Sequence, residues 1–179
     1  SPTLLTTTKK RIELIKDLNI DRIILINFTP AFSNISATDF VERFLVRKFN
    51  LNTVIVGENY FFGKDKKGDI NLLKHLGNKY GFNMKVISSY KYKGFIVSSS
   101  RIREAIKNSD IESANKMLGR NYEIEGIVIK GKNIGKTLGF PTANIKPFNE
   151  TIPGIGVYAV RVEIIGTVPS FVPFSGDKL

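Results

Sequence analysis

Three short apolar runs constrain the first hundred residues more than anything else in the chain. They are RIILINF (22–28), NTVIVG (52–57) and NMKVISS (83–89), and segments of helical period separate them. RIILINF and NTVIVG read as strands buried on both faces and NMKVISS as a third strand, and strands alternating with helices imply βαβ units around a parallel sheet. TTTKKRIELIKDLNI (6–20) carries Ile12, Ile15 and Leu18 at helical spacing, with threonines ahead of them as caps. SATDFVERFLVRKFN (36–50) predicts a second helix, with Ser36 and Asp39 at capping-box spacing and Asp in place of Glu. DINLLKHLGNKYG (69–81) predicts a third, with Asp69 as N-cap and Gly81 just past its end.

The rhythm changes after Gly119. SSSRIREAIKNSDIESANKMLG (98–119) reads as two short helices, whereas YEIEGIVIK (122–130) and GVYAVRVEII (156–165) alternate with period two between glycine-rich connections. That pattern predicts antiparallel strands of a small β-barrel and a domain boundary near residues 119–122. The expected architecture is an α/β parallel-sheet domain over 1–119, followed by a small antiparallel β-barrel domain over 120–179.

Composition narrows the function. The chain has 179 residues, 42% of them hydrophobic, and no run of 18 apolar residues that would read as a membrane helix. Cysteine is absent and His75 is the single histidine, which argues against disulfides and against thiolate or imidazole metal sites. No signal peptide is visible, and a cytoplasmic protein is expected. The net charge of +11 favours polyanionic partners, but the basic residues form no block of five or six, as a nucleic-acid arm would.

Three stretches carry the chemistry. GENYFFGKDKKGD (57–69) begins where the second strand ends, and ligands of open α/β sheets bind beyond the carboxyl ends of strands. Gly57, Gly63 and Gly68 would let backbone approach a ligand. Tyr60, Phe61 and Phe62 could stack on a planar ring, and Lys64, Lys66 and Lys67 could meet phosphates. The alternative is a mobile surface loop with one or two core aromatics.

VSSSRIREAI (97–106) leads from a strand end through Ser98, Ser99 and Ser100 into a helix with Arg101 and Arg103 in its first turn. Free N–H groups, hydroxyls and a guanidinium fork together attract a phosphate. Cations there oppose the helix dipole unless an anion balances them. The alternative is ordinary serine capping beside two surface arginines.

The third stretch, GKNIGKTLGFPTANI (131–145), contains the G-K-T tail of a phosphate loop, but Lys130 stands where that motif needs its first glycine. Gly139 and Pro141 follow at once and oppose the helix that a phosphate loop requires. The stretch reads instead as a backbone arch at Gly131, Gly135 and Gly139, with charge from Lys132 and Lys136. Thr142 and Asn144 offer oxygen ligands suited to Mg²⁺. A glycine-rich hairpin without ligand is the alternative.

Taken in order, VGENYFFGKDKKGD, VSSSRIREAI and LGRNYEIEGIVIKGKNIGKTLGFPTANI resemble the bacterial bifunctional riboflavin kinase/FMN adenylyltransferase (FAD synthetase) family. The resemblance runs to about residue 162, includes PGIGVYAV (153–160), and is most specific in GKTLGFPTAN. It implies a nucleotidyltransferase-like α/β domain that adenylylates FMN, then a riboflavin kinase barrel that makes the FMN. It implies that Ser99, Ser100 and Arg103 hold ATP phosphates, with Ser98 beside them, and that Asn59 and Phe61 lie against flavin or nucleotide between Gly57 and Gly63. It implies Mg²⁺ and ATP phosphate on Thr142 and Asn144, with Gly135, Lys136, Gly139 and Pro141 of the same string around the phosphates. The implied partners are riboflavin, FMN and ATP, with FMN and FAD as products and no nucleic acid or membrane, either as a single chain or as a homo-oligomer.

The family's opening G-x-F-D-G-x-H-x-G-H motif has no counterpart, and no residue matches its kinase glutamate, so no catalytic residue is assigned. Ser1 is expected to start after that motif. IIGTVPSF and FSGDKL follow VRVE sooner than the family's N-I-G-T-R-P-T-F and F-x-G-D-L-Y-G segments do, which implies ordered pieces with stretches missing between them. Two other readings stand beside the enzyme: a truncated, non-catalytic flavin or nucleotide binder, and a basic RNA-binding protein with a small barrel.

Overall fold

A computed structural model describes residues 3–131, 139 and 142–165. Two compact units divide the chain: Arg22–Val97, and Ser1–Asp21 together with Ser98–Leu179.

In the unit Arg22–Val97, helix α2 (Pro30–Ser33) precedes α3 (Ala37–Phe40), which runs on as a π-helix over Val41–Lys48. Strand β1 (Thr53–Gly57), a 3₁₀ turn (Lys64–Lys66), α4 (Ile70–Tyr80), β2 (Asn83–Ile87), β3 (Lys91–Tyr92) and β4 (Phe95–Ile96) follow. The caps are local chemistry. Ser36 Oγ accepts from Asp39 N–H at 3.0 Å and donates to Asp39 Oδ2 at 2.6 Å. The acid thus answers the cap's hydroxyl, where a capping box would reach back to its backbone N–H. Asp69 Oδ1 accepts from Leu72 N–H at 2.8 Å and starts α4, which ends on Gly81 in the left-handed conformation.

β1 and β2 pair in parallel with Thr53 opposite Asn83 and Gly57 opposite Ile87, as a βαβ unit requires. Val56 of β1 joins Ala37, Val41, Phe62, Leu73, Leu76 and Phe82 in the buried core, which the π-helix and α4 contribute to. The expected burial on both faces does not hold: Ile55, pointing the other way from Val56, is 63% exposed. Alternate strand residues face opposite sides, and this core covers one side only. RIILINF likewise forms no strand. Its Leu25 is 68% and its Phe28 78% exposed, because among the described residues no neighbouring ladder takes up its backbone. The β3–β4 hairpin, which the periodicity does not reveal, turns through Lys93 and Gly94 with φ of 49° and 80°. Positive φ at both positions suits a two-residue hairpin turn.

In the other unit, Thr7 caps α1 (Thr8–Lys16) by accepting from Lys10 N–H at 3.1 Å. α5 (Ser99–Lys107) and α6 (Ile111–Leu118) match the two expected helices and bury Ile102, Ile106, Ala114 and Met117. β5 (Gly126–Ile129) and β6 (Asn144–Pro147) pair antiparallel, with Ile129 opposite Asn144. The small barrel expected here is not seen as such, since no closed sheet is found among the described residues. GVYAVRVEII does not form its expected strand there: Val157 and Val160 are exposed, so alternation without a ladder partner leaves the segment irregular.

Polar groups around the buried Asn149 tie this unit together. Asn149 Oδ1 accepts from Glu125 N–H at 2.8 Å, while its Nδ2 donates to Glu123 O at 3.0 Å and Leu5 O at 3.4 Å. Thr7 Oγ1 donates to Glu125 Oε2 at 2.8 Å, and Lys10 pairs with Glu123 at 2.6 Å. Segments from the beginning, middle and end of the described chain thus share one polar network.

Candidate functional site

The loop 57–69 leaves the carboxyl end of β1 and closes on itself. Phe62 and Gly68 exchange backbone bonds of 3.0 and 2.9 Å, and Lys64 N–H donates to Ile35 O at 2.8 Å. It is therefore an anchored loop. Its aromatics divide: Tyr60 stacks on Phe62 at 5.5 Å, and Phe62 reaches Phe40 at 6.0 Å inside the core. Burial pushes the Tyr60 hydroxyl above its ordinary range, so it stays protonated. Phe61 and Asn59 are exposed, and Phe61 is the aromatic of the expected trio left for a ligand.

The glycines divide as well. Gly57 has open space around it, but Gly63 and Gly68 press on Ala37 and, for Gly68, on the Phe62 ring. On the side where a Cβ would stand, the neighbour that Gly63 and Gly68 admit is the start of α3.

Glu58, which the sequence reading passed over, donates its backbone N–H to Ile87 O at 3.1 Å, bridging the carboxyl ends of β1 and β2. Ser89's side chain, then its backbone, hydrogen-bond the Glu58 carboxylate and hold it below its ordinary value of 4.5. A carboxyl with a depressed folded value contributes stability above the unfolded value and loses it as pH falls through the folded one. Ser89→Ala is therefore expected to raise the Glu58 titration toward the ordinary value, followed by side-chain carbon NMR. An unchanged titration would remove the Ser89 hydroxyl as a cause.

The serine-rich start of α5 is built as the sequence implies. Ser98 caps the helix, its Oγ accepting from Arg101 N–H at 3.3 Å, and Ser98, Ser99 and Ser100 are all exposed. Ser100, Arg103, Glu104, Lys107 and Asn108 line a depression of about 360 Å³ along one side of α5. Arg103 is half-buried, and its Nε donates to Thr3 O at 2.5 Å. The serines offer hydroxyls and N–H groups and Arg103 a positive charge, a donor set that suits an anion.

In the third stretch, Gly139 takes a positive φ of 81°, and Thr142 and Asn144 are exposed where β6 begins. Asn144's carboxamide lies against Gly131, where any Cβ would collide with it, so Gly131 makes room for that side chain. Gly135, Lys136 and Pro141 lie outside the described residues. Thr142 and Asn144 are neutral oxygen donors, a set that suits Mg²⁺ bound largely through phosphate oxygens. Among the described residues no cluster of His, Cys, Asp and Glu could hold a metal ion alone. Ser98, Ser99 and Ser100 thus stand at the start of α5 with Arg103, its fifth residue, one turn further on, and Thr142 and Asn144 stand at one strand start. Gly57, Asn59, Phe61 and Gly63 share a single loop.

Comparison with known proteins agrees with this order. Residues 1–101 match the FAD synthetase family and residues 118–176 the riboflavin kinase family. A bifunctional riboflavin kinase/FMN adenylyltransferase of Buchnera aphidicola subsp. Schizaphis graminum is 43% identical over 99% of this chain and 60% of its own length. The protein of the same description from Escherichia coli K12 is 30% identical over 94% of this chain and 54% of its own. The chain thus spans under two thirds of the length of these curated relatives. A crystal structure from Streptococcus pneumoniae, described as a macrolide-efflux protein, matches with a TM-score of 0.76 at 28% identity, over 86% of this chain and 49% of that one. Among the described residues no helix is long and apolar enough to cross a membrane. With its first 101 residues on one family model and its later part matching the riboflavin kinase family, the chain belongs to the FAD synthetase family.

Proposed function

We propose that the protein phosphorylates riboflavin to FMN and adenylylates FMN to FAD, using MgATP in the cytoplasm, without nucleic acid or membrane as partner. The observation that carries this reading is the start of α5, where three exposed serines precede an arginine anchored by one edge of its guanidinium. Serine hydroxyls and N–H groups hold the ATP phosphates, and Arg103 neutralises charge as the adenylyl group moves. Asn59 and Phe61 hold flavin or nucleotide on the loop after β1. In the kinase step Thr142 and Asn144 would hold Mg²⁺, which would supply charge neutralisation there. Phosphoryl transfer asks mainly for such positioning and electrostatics. The boundary near 119–122, the spans 1–119 and 120–179, and a riboflavin kinase-like barrel containing β5 and β6 belong to the same proposal.

Arg103→Ala is expected to slow FMN adenylylation about 10- to 150-fold, the worth of a charge-assisted contact, and to leave riboflavin phosphorylation in place. Asn144→Ala is expected to do the reverse, with FMN supplied from outside still converted to FAD. Each step is assayed alone on intact protein whose melt is normal. An intact protein that makes neither product would overturn the enzymatic reading and leave a binder of flavin or nucleotide.

A further inference from the structure

Arg103 is held by a segment distant in sequence. Its Nε donates to Thr3 O at 2.5 Å, and Thr3 is itself fixed from the far end of the described chain. Thr3 Oγ1 shares a hydrogen bond of 2.9 Å with Thr151 Oγ1, and Leu4 N–H donates to Glu150 Oε2 at 2.7 Å. Thr151 is fully buried, and its carbonyl accepts from Tyr122 Oη at 2.7 Å. All these groups belong to one compact unit. Arg103 and Thr3 lie within or beside the part that matches FAD synthetase, whereas Thr151 lies in the part that matches riboflavin kinase.

We infer that Thr151 and Thr3 are positioning residues for Arg103, so that a side chain of the riboflavin kinase segment tunes the phosphate site of the adenylyltransferase. This rests on the functional reading above. The chemistry is geometric. A guanidinium tied at Nε to a fixed carbonyl loses rotamer freedom and presents its terminal nitrogens in one orientation. A phosphate then meets a prearranged fork rather than a mobile side chain. The carbonyl of Thr3 can serve so only while its own segment is pinned. Its hydroxyl pair with Thr151 and the Leu4–Glu150 bond pin it. Sequence separation hides the relationship, since the two threonines stand 148 positions apart.

The test compares Thr151→Val, which keeps shape and removes the hydroxyl, with Thr151→Ser, which keeps the hydroxyl. Both are also made in an Arg103→Ala background, and Thr3→Val and Thr3→Ser repeat the comparison should Thr151→Val not fold. Calorimetric titration of the intact protein with MgATP, and KM and kcat of FMN adenylylation, are the readouts. The valine variant is expected to raise KM for MgATP in adenylylation about 2- to 10-fold, the worth of one neutral hydrogen bond, with kcat changed less. Serine is expected to restore it. In the Arg103→Ala background valine and serine should not differ. Valine and serine behaving alike with Arg103 present, or valine acting equally with Arg103 absent, would overturn the inference alone. Failure of the unsubstituted protein to bind MgATP would overturn the functional reading and this inference together.

Discussion

Gly63→Ala is expected to destabilise the unit Arg22–Val97 by about 2–6 kcal/mol, two contributions adding. Gly63 sits at φ 73° and ψ 178°, a region essentially closed to any residue with a Cβ. Forcing alanine there costs roughly 1–3 kcal/mol. A Cβ at this position would also lie 2.5 Å from the backbone N and Cα of Ala37. Backbone cannot swing aside as a side-chain tip does, so overpacking adds about 1–3 kcal/mol. The loop would be expected to lift from the start of α3, breaking the Lys64 N–H to Ile35 O bond and exposing Phe62. Urea unfolding measures the effect. Gly81→Ala serves as the control, because Gly81 also has a positive φ but open space around it, and should cost only about 1 kcal/mol. Equal losses in the two variants would show that Ala37 does not constrain Gly63.

Asn149→Leu carries the second large effect. The amide satisfies Glu125 N–H on one side and the Glu123 and Leu5 carbonyls on the other, in a buried position. Leucine fills the space but answers none of them. Each stranded group costs about 1–3 kcal/mol where water cannot reach it; Glu123 is exposed and Leu5 and Glu125 are half-buried, so water offsets part of the sum and a loss of roughly 2–5 kcal/mol is expected on urea unfolding. Two local readouts accompany it. The Glu125 amide should exchange with solvent faster. The Tyr122 hydroxyl, pushed up by burial and drawn down by its hydrogen bond with Asn149, should titrate higher once that bond is gone. A loss below about 1 kcal/mol, with Tyr122 unmoved, would mean that water replaces the amide at little cost.

The proposed phosphate site follows the same division between local and distant effects. Its helix, its serine cap and its arginine are contiguous, and periodicity with capping chemistry makes them legible. What holds Arg103 is not contiguous. Neither Thr3 nor Thr151 has a local signature, since an isolated threonine near other threonines or beside proline reads as loop. Glu58 and Ser89 meet only because β1 and β2 lie side by side in register.

By itself the sequence determined the helices 8–16, 70–80, 99–107 and 111–118, their caps at Thr7, Asp69 and Ser98, the parallel strands β1 and β2, and the order of the family motifs. Capping and helical periodicity act over one turn, so neighbouring residues encode them. Tertiary structure alone decided which apolar runs became strands, because a strand exists only when a ladder partner takes its backbone groups. RIILINF and GVYAVRVEII have the right composition and lack that partner among the described residues. It also decided that Gly63 serves packing against Ala37, that Tyr60 and Phe62 turn into the core while Phe61 turns out, and that Thr151 stands behind Arg103. These outcomes depend on close approach between residues far apart in the chain, and no local rule fixes which of them meet.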